Sequence, residues 1–194
     1  VRRYGLDTHT RPIVDALLRL FLDEWTAHSH VRENYPVVPG EDVRPLAARS
    51  DGLMGWGGLL GYLAIQELAD PRPDGWRFAH PGRPASVDGL ALAEGRLAVR
   101  AGERLVVALD ERPLLDAPAG VTVTGYERGP DVVRLRFSGA GDGLTIAVPP
   151  AAESRSEVNV RVGDHTATRV VEAGGVVRIA VPGEHTACVA VEIR

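Results

Sequence analysis

The chain has 194 residues, of which 44% are hydrophobic and 25% charged, a composition typical of a soluble globular protein. Its net charge of −4 argues against a duplex nucleic-acid binder, because such proteins need clustered positive charge. All 22 basic residues are Arg, which excludes mechanisms that use a Schiff-base lysine or a P-loop lysine.

A helix is predicted over residues 10–27. Thr10 is a plausible N-cap, Pro12 falls in the first turn where its missing N–H is tolerated, and no Gly interrupts the run. The apolar positions are Ile13, Val14, Leu17, Leu18, Leu20, Phe21, Leu22 and Trp25. They cover more than the single stripe of a surface helix, so we expect this helix to pack against neighbours on two sides.

The helix is followed by a polar loop, HSHVRENYPV, over residues 28–37. Glu33 lies there beside Arg32 and Asn34 and two residues before Tyr35. A carboxylate that deprotonates water needs a held orientation and access to solvent, and a loop after a helix offers both. On spacing alone, Glu33 is more simply read as one solvated acid among 26 acidic residues.

A second helix is predicted over residues 53–69, ending at Asp70-Pro71. Its first half is rich in Gly around Trp56, and each helical Gly costs roughly 0.5–1 kcal/mol relative to Ala. Close approach of a ligand or another backbone would explain those glycines, and the Trp56 ring would then stack on a sugar. One alternative is a helix that begins only near Leu59, with DGLMGWGG as a shaped loop. For Trp56 itself, the simpler interpretation is core packing between helices, with the glycines making room for the indole. The apolar run that contains this helix is too short to cross a bilayer, so no membrane partner is expected.

Proline and glycine then mark a change in composition. The segment ADPRPDGWRFAHPGRP holds four Pro and two Gly in sixteen residues and predicts a linker over 71–85. Within it, Trp76 is expected to hold the linker against a domain. We therefore divide the chain into a helical segment over 1–70, the linker, and an all-β domain over 86–194.

Short β-branched or alternating runs separated by turn signals recur through the last part of the chain. They are LAVRAG, ERLVVALD, GVTVTGYERG, DVVRLRFSG, GLTIAVP, EVNVRVGD, TATRVVEAGG, GVVRIAVPG and HTACVAVEIR. Their number and spacing predict an antiparallel β-sandwich. The predicted fold class is thus α+β, as a two-part chain with helices first and the sandwich second.

Other chemistry is poorly supported. His28 and His30 lie two residues apart, which places them on different faces of a helix, and the six His residues form no metal set. The single Cys188 cannot form an internal disulfide and is expected to be a small buried residue. There is no GxSxG motif or Gly-rich phosphate loop, and Ser50 has no nearby base. We expect no metal and no cofactor.

Together, HVRENYPVVPGED and, about twenty residues later, DGLMGWGGLLGYLAIQEL resemble the end of the (α/α)6-barrel catalytic domain of a glycoside hydrolase. The similarity is to the processing α-glucosidase-like enzymes of family 63 and to trehalase-like enzymes, including the mannosylglycerate hydrolase type. It covers roughly residues 2–78. Trehalases continue the Trp segment as GWTNG, whereas this chain has GWGG, which argues against trehalose as the substrate.

The resemblance implies that Glu33 is the catalytic base of an inverting hydrolase, that Trp56 lines the sugar site, and that Asn34 and Tyr35 support the loop and bind substrate. The substrate would be an α-linked glucoside or another small saccharide. An inverting glycosidase needs two carboxyl groups about 6.5–9.5 Å apart, and in this family the acid lies far upstream. The chain alone is therefore expected to be inactive and to need an upstream barrel of the same protein or a partner subunit.

Two alternatives remain. The first, second to the hydrolase interpretation, is a non-catalytic module whose β domain binds carbohydrate or a partner chain, with the helices as a docking platform. Of the two binding functions, carbohydrate binding by the β domain is the less supported. A carbohydrate-binding face usually presents several aromatic residues, and from residue 86 onward we identify only Tyr126 and Phe137. An autonomous protein with a structural role is the other alternative, and it needs the apolar helix surface to be covered.

Overall fold

The predicted N-terminal helix is present and is longer than expected, because α1 runs over Asp7–His28. The structure is a computed structural model that describes residues 7–28, 62–63, 65–141, 143–180 and 185–194. Thr10 lies inside α1 and is not its N-cap, and Pro12 lies within the helix rather than in its first turn. No helix in these described ranges is long and apolar enough to cross a membrane.

The end of the second predicted helix is described. Residues 62–63 and 65–68 are helical, and Ala69 already belongs to a strand, so the helix ends one residue earlier than predicted. The Gly-rich start of that helix lies outside the described residues. The chain divides into two compact units, Val1–Gln66 and Glu67–Arg194.

The second unit is built of β-strands. In chain order the described residues form β1 (Ala69–Arg72), β2 (Gly75–Ala79), β3 (Ala85–Leu92), β4 (Gly95–Ala101), β5 (Arg104–Leu109), β6 (Arg112–Pro118), β7 (Val121–Arg128), β8 (Val133–Gly139), β9 (Leu144–Ala147), β10 (Glu157–Val162), β11 (His165–Val170), β12 (Val176–Ile179) and β13 (His185–Ile193). One sheet has the order β1-β2-β7-β8-β13-β10-β11, and the other has the order β12-β9-β6-β5-β4-β3. All strand pairs are antiparallel.

The two sheets bury one continuous core between them, which confirms the β-sandwich. In β8, Val133, Leu135 and Phe137 are buried while Arg134 and Arg136 point outward, as expected when successive side chains face opposite sides of a sheet. The largest fully buried side chains come from both sheets. They include Phe78, Phe137 and Ile193 from the seven-stranded sheet and Leu97, Leu105, Leu115, Leu144 and Ile146 from the six-stranded sheet.

The prediction of a linker over 71–85 is wrong. Within that range β1 and β2 form a hairpin, and β2 pairs with β7, so both strands belong to the seven-stranded sheet. The prolines misled the prediction because β1 is an edge strand, where Pro71 removes no pairing that a central strand would need. Trp76 is accordingly a strand residue in β2, paired with Tyr126 of β7.

All nine runs predicted as strands are strands, and four strands were not predicted, namely β1 and β2 in the supposed linker and also β3 and β6. In β3, Asp88-Gly89 resembles a turn, yet it forms a bulge in which Gly89 adopts a φ of 76° and the strand continues. In β6, Pro113 and Pro118 also indicate turns. Both fit an interior strand because β6 pairs with β9 only at Leu115 and Asp116.

Candidate binding cavity at one end of the sandwich

A bulge in β7 changes which side chains of that strand face the core. Val121 and Val123 are buried, so regular alternation would bury positions 125 and 127 next. The register with β8 shifts between Thr124 and Glu127, and Gly125 adopts a φ of 58°. As a result Tyr126 is buried and Glu127 is exposed. Tyr126 and Arg128 now share the face that points toward the other sheet.

The centre of this bulge favours Gly. A Cβ at position 125 would lie 3.0 Å from Arg136 Nη2 and 3.1 Å from the carbonyl oxygen of Asp74. The positive φ also disfavours any other residue. The inward direction of the Tyr126 side chain therefore depends on a glycine one position before it.

Three aromatic rings pack at this end of the seven-stranded sheet. Trp76 and Phe78 lie two residues apart on β2, so they share one face, and their rings stack with centroids 5.9 Å apart and an interplanar angle of 2°. Phe78 meets Tyr126 edge to face, with centroids 5.7 Å apart and an angle of 66°. Such geometries contribute about 0.5–1.5 kcal/mol beyond burial of the ring area.

These rings form one wall of a cavity of about 360 Å³, called the inner cavity here. The facing wall comes from the six-stranded sheet and is aliphatic. It consists of Leu92, Leu97, Leu109 and Leu114. Phe78, Leu97, Leu114 and Tyr126 are buried, Trp76, Leu92 and Leu109 are half-buried, and Glu94 and Glu127 are exposed. The cavity is thus lined by buried apolar residues and by two exposed acidic residues.

Two residues that line this cavity each have a polar atom that lacks a hydrogen-bond partner and is closed to solvent. Tyr126 Oη and Arg128 Nε are buried, and neither has a hydrogen-bond partner among the described residues. Arg128 is anchored through Nη2, which donates to the carbonyl oxygen of Val148 at 3.1 Å and to Glu153 Oε1 at 2.9 Å. A buried polar group left without a partner costs about 1–3 kcal/mol.

The Tyr126 hydroxyl remains protonated at neutral pH. Burial raises the pKa of Tyr126 well above its ordinary value of 10.0, and the nearby positive charge of Arg128 lowers that pKa only in part. A neutral phenol keeps its O–H and donates a hydrogen bond. The Tyr126 O–H and the Arg128 Nε–H are therefore donors that belong to lining residues of the inner cavity but are themselves closed to solvent.

A larger cleft of about 910 Å³, called the outer cleft here, shares Glu94, Leu109, Leu114 and Arg128 with the inner cavity. The turn between β5 and β6 borders it, with Asp110 and Glu111 at φ values of 46° and 67°. This is the paired positive φ of a tight hairpin turn. Asp110 Oδ1 accepts a hydrogen bond of 2.9 Å from the Arg96 amide, which joins this turn to the start of β4.

The outer cleft is polar and predominantly acidic. Its charged lining residues are Glu94, Asp110, Glu111 and Glu153 against Arg112 and Arg128. Within the described part of the chain, no group of three or more His, Cys, Asp or Glu residues is arranged to hold a metal ion.

The site residues predicted from sequence lie outside the described residues. They are Glu33, Asn34, Tyr35 and Trp56. The inner cavity, in contrast, was missed. Its one sequence signal is the break in alternation at GYER, where Gly125 separates an alternating strand from a tyrosine that regular spacing would place outside. Trp76 was noticed but assigned to the linker.

Comparisons with known proteins place this chain in no family. No family model, no curated protein and no solved structure matches it.

Proposed function

We propose that this chain is the C-terminal part of an inverting α-glycoside hydrolase and that it contributes the general base, Glu33, to an active site completed by an upstream barrel. Asn34, Tyr35 and Trp56 would contact an α-linked glucoside or another small saccharide. The sandwich would be a non-catalytic domain. The proposal rests first on the resemblance of the two motifs that contain Glu33 and Trp56 to the end of an (α/α)6 barrel.

The supporting structural observation is the surface of α1. Ile13, Leu22 and Trp25 are 54%, 55% and 51% exposed, although all three are large and apolar. The Phe21 and Trp25 rings stack with centroids 6.4 Å apart, which extends this surface along the helix. Helices of a double-ring barrel pack on two sides, so a terminal helix without its neighbours would expose such residues.

The mechanism needs a partner for Glu33. In inverting hydrolysis one carboxylic acid protonates the leaving oxygen while a carboxylate on the opposite side of the sugar activates water. Glu33 would supply the second role only. The 194-residue chain would therefore bind saccharide weakly and turn none over.

The first test is the mass of the polypeptide that the native source makes, against the 20.8 kDa of this chain. A polypeptide several times heavier supports the proposal, and a mass near 20.8 kDa with no partner subunit overturns it. In the heavier protein, Glu33→Gln should lower turnover of an α-glucoside about 10²–10⁴-fold, the usual contribution of a general base. Glu157→Gln, at an exposed acid of β10, is the matched control and should leave turnover unchanged.

The exposed face of α1 also suits the second candidate, a non-catalytic module that docks through its helices. The Glu33→Gln comparison separates the two candidates. A docking module would retain its partner and show no glycosidase activity in either form of the protein.

A further inference from the structure

We propose that strand β11 is a dimerisation edge, which pairs antiparallel with β11 of a second copy of this chain about a twofold axis at Thr168. The two seven-stranded sheets then form one continuous sheet. The proposal uses only residues of the second compact unit, Glu67–Arg194, and does not depend on the proposed glycosidase function.

Of the four edge strands in the described part of the chain, β11 is the least protected. β1 contains Pro71, and β3 is interrupted by the bulge at Gly89. In the four-residue β12, the first carbonyl oxygen, that of Val176, accepts a hydrogen bond of 2.8 Å from the Glu172 amide. β11, in contrast, pairs with β10 over six residues without Pro, Gly or a register shift. Proteins commonly protect sheet edges because free backbone groups attract another strand, so an unprotected edge indicates a pairing surface.

The hydrogen bonds of β10 show which backbone groups of β11 are free. Asn159 exchanges backbone hydrogen bonds of 3.1 and 3.0 Å with Arg194, so the odd-numbered residues of β10 bond toward β13 and the even-numbered residues toward β11. The Val171 amide donates to the Ser156 carbonyl oxygen at 2.8 Å, which fits the same alternation. Three residues of β11 therefore direct their backbone N–H and C=O groups away from β10. They are Thr166, Thr168 and Val170.

The described residues leave β11 open on both faces as well as along its edge. All six of its residues are exposed, and Val170 is 65% exposed although it is apolar. Donors and acceptors that repeat at every second residue of a straight edge are matched by another extended strand. The free groups therefore specify a β-strand as the partner.

A second copy of the chain supplies a strand that fits, because β11 matches itself about Thr168. With a twofold axis there, Thr168 pairs with Thr168 of the second copy, and Thr166 pairs with Val170 in both directions. These three pairs join only residues whose backbone groups point outward, and each pair exchanges two backbone hydrogen bonds. They also place a β-branched Thr166 beside each exposed Val170.

The neighbouring registers are less favourable. An axis at Ala167 sets His165 opposite Arg169 of the second copy. An axis at Arg169 sets the two Arg169 side chains opposite each other, and like charges directly opposite destabilise a sheet. Each of these registers also forms only two hydrogen-bonded pairs within β11. The axis at Thr168 sets each Arg169 opposite Ala167, so no two charged side chains of β11 face each other.

The pairing ends at two copies. A twofold contact uses the same edge of both molecules, so neither β11 remains free for a third copy. The opposite edge of the sheet is β1, where Pro71 lacks the N–H that a further strand would need. We therefore expect a dimer rather than a fibre.

The first test is the mass of the full 194-residue chain in solution at pH 7, measured by sedimentation equilibrium at rising concentration. The mass should increase from 20.8 kDa toward twice that value. A chain that remains a monomer up to about 1 mM, the weak limit of specific association, overturns the proposal. Growth beyond two copies overturns the twofold arrangement.

Thr168→Pro tests the backbone pairing. It removes an N–H that points away from β10, so the sandwich should still fold, while the dimer loses two hydrogen bonds and weakens at least about tenfold. Thr168→Val is the matched control. It keeps the N–H, loses only the hydrogen bond of 3.4 Å from Thr168 Oγ1 to Asn159, and should leave the dissociation constant unchanged. Equal dissociation constants for the two variants, as expected of a dimer formed through α1, overturn the proposal.

Ala167 tests the register without a proline. Ala167→Glu faces Arg169 of the second copy and should tighten the dimer about 2- to 10-fold, whereas Ala167→Arg should weaken it by a similar factor. The same two substitutions at Ala91, an exposed alanine of the edge strand β3, control for the change in net charge and should have no effect. An absent or reversed difference between the two Ala167 variants overturns the register.

Discussion

The sandwich buries most of its large apolar side chains between its own two sheets, with Val106 and Val170 as exposed exceptions, whereas α1 leaves three of its large apolar side chains more than half exposed. The difference follows from periodicity. An alternating strand has one apolar face, and a second sheet covers that face completely. The apolar residues of α1 extend around most of the helix, and a single neighbour cannot cover them. We therefore expect the sandwich to fold alone, and we propose that the helical region packs against a further part of the protein or a partner.

The largest expected difference between the two regions is the effect of replacing one aromatic residue in each by alanine. Phe137→Ala in the sandwich core should lower the free energy of unfolding by about 3–5 kcal/mol, because it removes a fully buried ring and leaves a cavity. Trp25→Ala on α1 should change it by less than about 0.5 kcal/mol in the 194-residue chain. Equilibrium denaturation followed by circular dichroism measures both. A large loss of unfolding free energy for Trp25→Ala in this chain would show that Trp25 is already covered and would contradict the comparison. A large loss seen only in a longer native protein would show that the added part covers Trp25.

The bulge that shapes the inner cavity offers the next largest effect. Gly125→Ala should lower the free energy of unfolding by about 1–3 kcal/mol, since the new residue would hold a φ of 58° close to Arg136 and the carbonyl oxygen of Asp74. Gly102→Ala is the control, because a Cβ there meets no atom within 4 Å. Equal stability of the two variants would show that the strand can lose its bulge without strain.

A smaller effect is expected at Glu192 on the outer face of the seven-stranded sheet. Glu192 accepts a hydrogen bond of 2.8 Å from Arg134 Nε and forms an ion pair with Arg194, whose Nε lies 2.8 Å from Oε1, and its side chain is 12% exposed. The hydrogen bond from Arg134, with the charges of Arg194 and Arg161, lowers the pKa of Glu192 below its ordinary 4.5 despite burial. Glu192→Gln should therefore cost no more than about 1 kcal/mol at pH 7, because Arg134, Arg161 and Arg194 are all more than half exposed and solvent weakens their interaction with the carboxylate.

The pH dependence of that loss has a definite sign. A carboxyl group whose folded pKa is lowered stabilises the protein above its unfolded pKa, and this stabilisation disappears as the pH falls through the folded value. The difference between wild type and Glu192→Gln should therefore be full at pH 7 and shrink below pH 4.5. Denaturation at pH 7, 5 and 3 checks it, with Glu157→Gln as the exposed control. A difference that persists unchanged at pH 3 would assign the loss to packing.

The smallest expected effect tests the independence of the sandwich directly. Residues 67–194 alone should unfold at the same denaturant concentration as the β-signal of the full chain, because the core cluster draws its members from residues 68–193. Failure of this fragment to fold would show that the helical residues complete the core, and would remove the contrast between the two regions.

Local patterns predicted most of the strands. Runs such as DVVRLRFSG alternate between apolar and charged residues, so the burial of Val133, Leu135 and Phe137 in β8 follows from the sequence. The same reasoning failed where proline and glycine lie inside strands. Pro71 is accommodated by an edge position and Asp88-Gly89 by a bulge, and neither circumstance is visible without the neighbouring strand.

The proposed active-site residues remain predictions from resemblance. Glu33, Asn34, Tyr35 and Trp56 lie outside the described residues, so the structure does not test their geometry. The inner cavity is the opposite case, because it could not be predicted from spacing. Trp76 and Tyr126 are fifty residues apart in the chain and become partners only through the pairing of β2 with β7.

The sequence by itself determined that a helical region precedes an antiparallel sandwich, because hydrophobic periods of 3.6 and 2 are local properties of the chain. It also determined which side of a regular strand enters the core. Only the tertiary structure decided where that rule breaks. Strand register is set by contacts between distant segments, and at Gly125 the register shift turns Tyr126 and Arg128 toward the facing sheet. Residues of both sheets line the inner cavity, so no single segment of the chain encodes it.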